Sequence, residues 1–191
     1  MNQKNLLDVD WSKIPAPTDD GGAAHLSGMT IPPVSLLATD GTVVTLGALR
    51  GRIVVFAYPR TGEPGKISLV DDWDMIPGAR GCTPQTCAFR DLFAELKAAG
   101  AAHVFGLSTQ DNAYQAEMAG RLHLPFPVLS DEKLELTRAL RLPTMHVAGL
   151  TLIKRLALVV DDGRITNVFY PVFPPDRNAG DVLAWLRENR V

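Results

Sequence analysis

The chain has 191 residues, 21 acidic and 19 basic for a formal net charge of −2, and is 46% hydrophobic and 21% charged. That balance suits one globular domain with a substantial core. It lacks the basic footprint of a nucleic-acid binder and any apolar run long enough to span a membrane. Residues 1–10 place Asp8 and Asp10 where a secretory signal would hold its apolar stretch, so the expected location is the cytoplasm, where a cysteine pair is more often catalytic than structural.

Residues 1–28 are polar and include Pro15, Pro17, Gly21 and Gly22, which predicts a loosely packed, irregular extension ahead of a single domain over 29–191. Stretches 31–34 and 43–46 read as a short hairpin around Asp40-Gly41. Residues 52–58 are a continuous apolar run of the kind buried inside a sheet, and 103–108 are a second. Between them, Thr83-Pro84 marks a helix start, because threonine can cap free backbone N–H groups and proline's fixed φ suits the first helical position. Cys87, Leu92, Phe93 and Leu96 continue with helical spacing to Gly100, a natural stop. Asp111 caps a predicted helix through about Leu122, 126–129 reads as a short extended piece, and 132–140 as helix. Segments 152–160 and 165–170 predict an antiparallel hairpin around Asp161-Asp162-Gly163, and 179–190 a closing helix. Strands and helices alternate and a hairpin comes late, which predicts an α/β fold with a mixed sheet and helices on both faces.

Cys82 and Cys87 are the two cysteines of the chain. Cys82 falls at the positive end of the predicted helix dipole, where a thiolate is stabilised, and only the thiolate is a nucleophile. A free thiol with a pKa near ~8.5 is only slightly ionised at neutral pH, so modest help raises its reactive fraction many-fold. Residues five apart on an intact helix have Cα atoms roughly 8.6 Å apart, whereas a disulfide needs less than ~7 Å. The pair therefore reads as conditional: a thiol that reacts and a second that resolves it. A permanent disulfide would close too small a loop to restrain the unfolded chain. A metal is not expected, since His25, His103, His123 and His146 are scattered without ligand spacing, and no cofactor is called for. A plain buried thiol stays open for Cys87, whereas Cys82 has the wrong neighbours for one.

The block Gly81-Cys82-Thr83-Pro84-Gln85-Thr86-Cys87-Ala88-Phe89-Arg90-Asp91 resembles the peroxiredoxins of the bacterioferritin-comigratory or Q type. Support comes, in the family's order, from Leu49-Arg50-Gly51-Arg52-Ile53-Val54-Val55, Tyr58-Pro59, Gly106-Leu107-Ser108-Thr109, Phe126-Pro127-Val128-Leu129-Ser130-Asp131 and Lys154-Arg155-Leu156-Ala157-Leu158-Val159-Val160-Asp161. The resemblance implies a thioredoxin-like three-layer sandwich and a peroxidase acting on hydrogen peroxide and organic hydroperoxides. It further implies Cys82 as the peroxidatic cysteine and Cys87 as the resolving one, joined in an intramolecular disulfide that thioredoxin or a glutaredoxin-like reductant recycles. Arg155, expected within a strand, matches the arginine over the thiolate, and Pro59 the proline that shields the site. A monomer or homodimer is implied, with no nucleic-acid or membrane partner.

The chain departs from the family between Pro59 and Cys82, where residues 60–81 form an inserted loop. Ala79 stands three residues before the nucleophile, where the family places a hydroxyl. Thr61 is the candidate to supply that hydroxyl, with a simple turn residue as the alternative. Two other functions share the fold: a thiol–disulfide oxidoreductase, which normally carries C-x-x-C, and a non-catalytic redox-sensing or partner-binding protein.

Overall fold

The computed structural model describes residues 9–190, so the signal-peptide reading falls mostly outside the described residues. The first hairpin pairs β1 (Ser35–Ala38) with β2 (Val43–Thr45), and the Asp40 carboxylate in its turn accepts from the Thr42 backbone N–H. There follow β3 (Arg52–Ala57), α1 (Cys82–Asp91), α2 (Phe93–Ala98), β4 (Ala101–Ser108), α3 (Asn112–Arg121), β5 (Val128–Ser130) and α4 (Glu135–Leu140). A second hairpin, β6 (Thr144–Val147) and β7 (Leu150–Ile153), precedes β8 (Leu156–Asp161), β9 (Arg164–Phe169) and α5 (Asn178–Glu188).

The main sheet has the order β2-β1-β5-β4-β3-β8-β9. Strand β4 runs parallel to β3 and β5, and the remaining pairs are antiparallel, giving the mixed sheet of a thioredoxin-like fold. All six residues of β3 are buried, and period-2 alternation divides them between two cores. Ile53, Val55 and Ala57 face Leu136 and Leu140 of α4, while Val54 and Phe56 face Phe89, Leu96, Met118, Val182 and Leu186 from α1, α2, α3 and α5. Phe56 stacks on Phe89 with ring centroids 4.1 Å apart. This packing seats α1, and so the cysteines, on the centre of the sheet.

Several expectations are corrected. Helix α1 begins at Cys82 with Gly81 as its N-cap, so Thr83 does not cap it and Pro84 is the third helical residue. Gly81 takes φ +104°, and a Cβ there would lie 2.6 Å from Pro175 Cγ and 2.7 Å from Trp11 Cη2; tertiary packing sets the start. The single helix to Gly100 breaks at Leu92 into α1 and α2. The expected strand over 152–160 is interrupted: Lys154 and Arg155 lie between β7 and β8, so Arg155 occupies a bend and not a strand. Residues 9–28 are not loose. Ala23 and Leu26 enter the core, Trp11 Nε1 donates to Asp176 Oδ2 (2.8 Å), and Asp20 accepts from Lys154 Nζ and Tyr170 Oη (both 2.6 Å). The 60–81 segment has a small core of its own, in which Trp73 and Ala79 pack with Val147 and Leu152 of the β6–β7 hairpin.

Candidate active site

Cys82 opens α1, where the unpaired N–H groups of the first turn and the dipole favour a negative charge. The bend between β7 and β8 aims Arg155 at it. Arg155 Nη2 lies 3.2 Å from Cys82 Sγ and 3.1–3.3 Å from the carbonyl oxygens of Gly78, Ala79 and Arg80. Three carbonyls and a sulfur therefore converge on one nitrogen of an always-charged, planar group. The other terminal nitrogen, Nη1, donates to Gln85 Oε1, and Gln85 Nε2 donates to Asn178 Oδ1 (2.9 Å) at the start of α5. Gln85 and Asn178 are both buried, so this relay fixes the guanidinium from behind. Neither residue carries a motif of its own in the sequence. Gln85 had a signal, since three residues after Cys82 places it on the same side of the helix; Asn178, nearly a hundred positions away, had none.

Cys87 lies inside the same regular helix, buried against the sheet with Phe56, Phe89 and Leu183. Burial pushes its thiol above the ordinary range, with the nearby Arg90 opposing. Both cysteines are free, and no unwinding of α1 brings them together in this state. Tyr58 is fully buried, and desolvation together with the neighbouring Cys82 holds its phenol well above the usual range. It stays protonated and donates to Gln115 Oε1 (3.0 Å).

The 60–81 segment roofs a cavity of about 350 Å³ on which Cys82, Thr83, Thr61, Arg60 and Tyr114 all open. Thr61 is buried there, but its hydroxyl donates to Gln110 Oε1 (3.2 Å) and not to the sulfur. At Ala79 the group facing the thiol is a carbonyl, which accepts from Cys82 Sγ at 3.6 Å. Pro59 is buried, accepts from Ser108 Oγ (3.3 Å), and does not line this cavity. Among the described residues no three His, Cys, Asp or Glu side chains converge on a metal position.

Fold and site together place a buried thiol at a helix start, beside an arginine, on a thioredoxin-like scaffold. Residues 26–183 match the Redoxin family, and the chain belongs to it. Relatives that it matches include peroxiredoxins of the Q and Bcp type. Peroxiredoxin Q from the chloroplast of Oryza sativa subsp. japonica is 33% identical over 162 residues, covering 84% of this chain and 66% of that protein, so this chain spans just under two thirds of that relative. Peroxiredoxin Bcp of Escherichia coli (strain K12) is 32% identical over 168 residues, covering 85% of this chain and 96% of the bacterial one. The crystal structure of peroxidoxin BcpB from Mycobacterium tuberculosis matches with a TM-score of 0.69 at 28% identity, covering 86% of this chain and 98% of that one.

Proposed function

We propose that this protein is a thiol-dependent peroxidase in which Cys82 attacks the peroxide and Cys87 resolves the product. The observation that carries the reading is the placement of Arg155 Nη2 at 3.2 Å from a sulfur that also sits at a helix N-terminus. The Cys82 thiolate attacks one oxygen of the hydroperoxide, the O–O bond breaks, and the leaving alkoxide or hydroxide takes up a proton to give an alcohol or water. Cys82 is then a sulfenic acid. Arg155, a fixed and permanently charged donor, stabilises the thiolate before attack and the negative charge as it moves to the leaving oxygen. Thr61 contributes a hydroxyl whose proton is committed to Gln110, so toward the cavity it acts as an acceptor for the hydroperoxide O–H.

Resolution needs the first turns of α1 to open. As they do, Cys87 leaves its buried setting and regains ordinary acidity, and its sulfur attacks the sulfenic acid; the S–S bond forms and water departs. A thioredoxin-type dithiol then returns the disulfide to two thiols and is itself oxidised. The chain's own cysteines complete the cycle without a partner subunit's thiol, and a reducing compartment such as the cytoplasm suits a pair that must be re-reduced at each turnover. No helix among the described residues is long and apolar enough to cross a membrane. The test is peroxide-dependent NADPH consumption in the presence of thioredoxin and thioredoxin reductase. Turnover with hydrogen peroxide that vanishes in Cys82→Ser supports the reading; insulin reduction without peroxide turnover would replace it with a thiol–disulfide oxidoreductase.

A further inference from the structure

We propose that the 60–81 segment makes this a peroxidase selective for organic hydroperoxides that carry a carboxylate, with Arg60 as the anchor for that carboxylate. The inference rests on the peroxidase reading and adds to it the class of substrate.

Hydrogen peroxide occupies little more room than a water, about 30 Å³ of liquid volume, whereas the cavity beside Cys82 measures about 350 Å³, within the range of small-molecule sites. Such a volume is unnecessary for hydrogen peroxide alone. The inserted segment supplies most of its lining, including an apolar wall of Leu69 and Trp73, with Ile67 exposed at its rim. Trp73 is rigidly placed, because it is buried against Ala79, Val147 and Leu152.

The charged lining is asymmetric: Arg60, Lys66 and Arg80 against Glu63. Lys66 is paired with Glu63, and Arg80 with Asp74 at 3.6 Å. Arg60 meets no carboxylate among the described residues; its guanidinium lies over the Tyr114 ring, 5.0 Å from the centroid. A guanidinium held over an aromatic ring by cation–π attraction, with no carboxylate partner among the described residues, has N–H donors available for a two-point grip, which matches a carboxylate. A single such cation suits a monoanion better than a phosphate dianion. With the carboxylate on Arg60 and the apolar body against Trp73 and Leu69, the hydroperoxide group shares the cavity with Cys82 and undergoes the same O–O cleavage to an alcohol.

The experiment follows oxidation of the reduced full-length protein by stopped-flow with hydrogen peroxide, 4-carboxycumene hydroperoxide and the methyl ester of the latter. The carboxylate should react about tenfold faster than its ester, equivalent to ~1.4 kcal/mol of added recognition. That ratio should fall to near unity in Arg60→Gln and to an intermediate value in Arg60→Lys, which keeps the charge and loses the fork. Inert 4-isopropylbenzoate should also slow oxidation of the wild-type protein by hydrogen peroxide, and its methyl ester should not. Rapid oxidation by hydrogen peroxide with equal rates for acid and ester would overturn this inference and leave the peroxidase reading intact, as would a ratio unaffected by Arg60→Gln. No thiol oxidation by any peroxide would overturn both.

Discussion

Replacing Arg155 by Lys tests whether a charge near Cys82 suffices or whether the fork of donors is needed. In the wild type one guanidinium reaches Cys82 Sγ at 3.2 Å, the carbonyls of Gly78, Ala79 and Arg80, and, through its second terminal nitrogen, Gln85. An ammonium has three donors on a single nitrogen and cannot serve the carbonyl cluster, the sulfur and Gln85 together. A hydrogen bond to a charged group contributes about 1.5–3 kcal/mol, so its loss in the transition state should slow Cys82 oxidation by about ten- to a hundred-and-fifty-fold. Stopped-flow tryptophan fluorescence against hydrogen peroxide concentration gives the rate. Urea unfolding of the same variant gives a separate cost of about 1–3 kcal/mol for buried carbonyls left without a donor. A rate within about twofold of wild type, alongside the stability loss, would show that Arg155 only ties the 78–80 peptide in place and would refute its part in the chemistry.

Gly81→Ala forces a side chain into left-handed backbone and against Trp11 and Pro175; it should cost about 1–3 kcal/mol in urea unfolding and slow Cys82 oxidation. Stability should also fall on the alkaline side, because Cys87, Tyr58 and Tyr114 all have folded pKa values raised chiefly by burial. Their contribution is intact below the unfolded values of about 8.5–10 and lost as pH climbs through the folded ones, which denaturant midpoints across that range will show. On the acid side, hydrogen bonds from Arg52 lower Asp161, so that stability is present above ~3.9 and lost as pH falls through the depressed folded value; Arg52→Ala should flatten this limb of the curve. In hydrogen exchange, amides just after Cys87 should exchange faster in the disulfide form than in the reduced one, and equal protection would count against the opening of α1.

The buried strands β3 and β4 were legible because residues buried on both faces leave an unbroken apolar run, and the cysteine block was legible because its spacing carries chemistry. The β6–β7 hairpin was not. Its two-residue turn is Ala148-Gly149, both at positive φ, and an alanine there gives none of the Asn-Gly or Asp-Gly signal of such turns. Without that hairpin β7 and β8 read as one strand containing Arg155, whereas the bend between them is what brings its guanidinium to 3.2 Å from Cys82 Sγ. Thr83-Pro84 pointed to a helix start but not to its first residue, since Gly81 is fixed by Trp11 and Pro175 from distant parts of the chain. For the same reason the ordered extension and the Asn178 end of the relay left no local trace. Thr61, the candidate hydroxyl, lines the cavity with its proton on Gln110, a partner from the loop after β4 that left no trace near Thr61 in the sequence.

The central claim is that Cys82 and Cys87 are, respectively, the attacking and resolving thiols of one cycle. One equivalent of hydrogen peroxide added to the fully reduced protein, followed by peptide mass mapping of wild type, Cys82→Ser and Cys87→Ser, tests it directly. The wild type should lose two hydrogens as a Cys82–Cys87 disulfide, Cys87→Ser should gain one oxygen on Cys82 and stop there, and Cys82→Ser should remain unmodified. Equal oxidation of both single variants, or a wild type whose thiols survive the peroxide, would contradict the account.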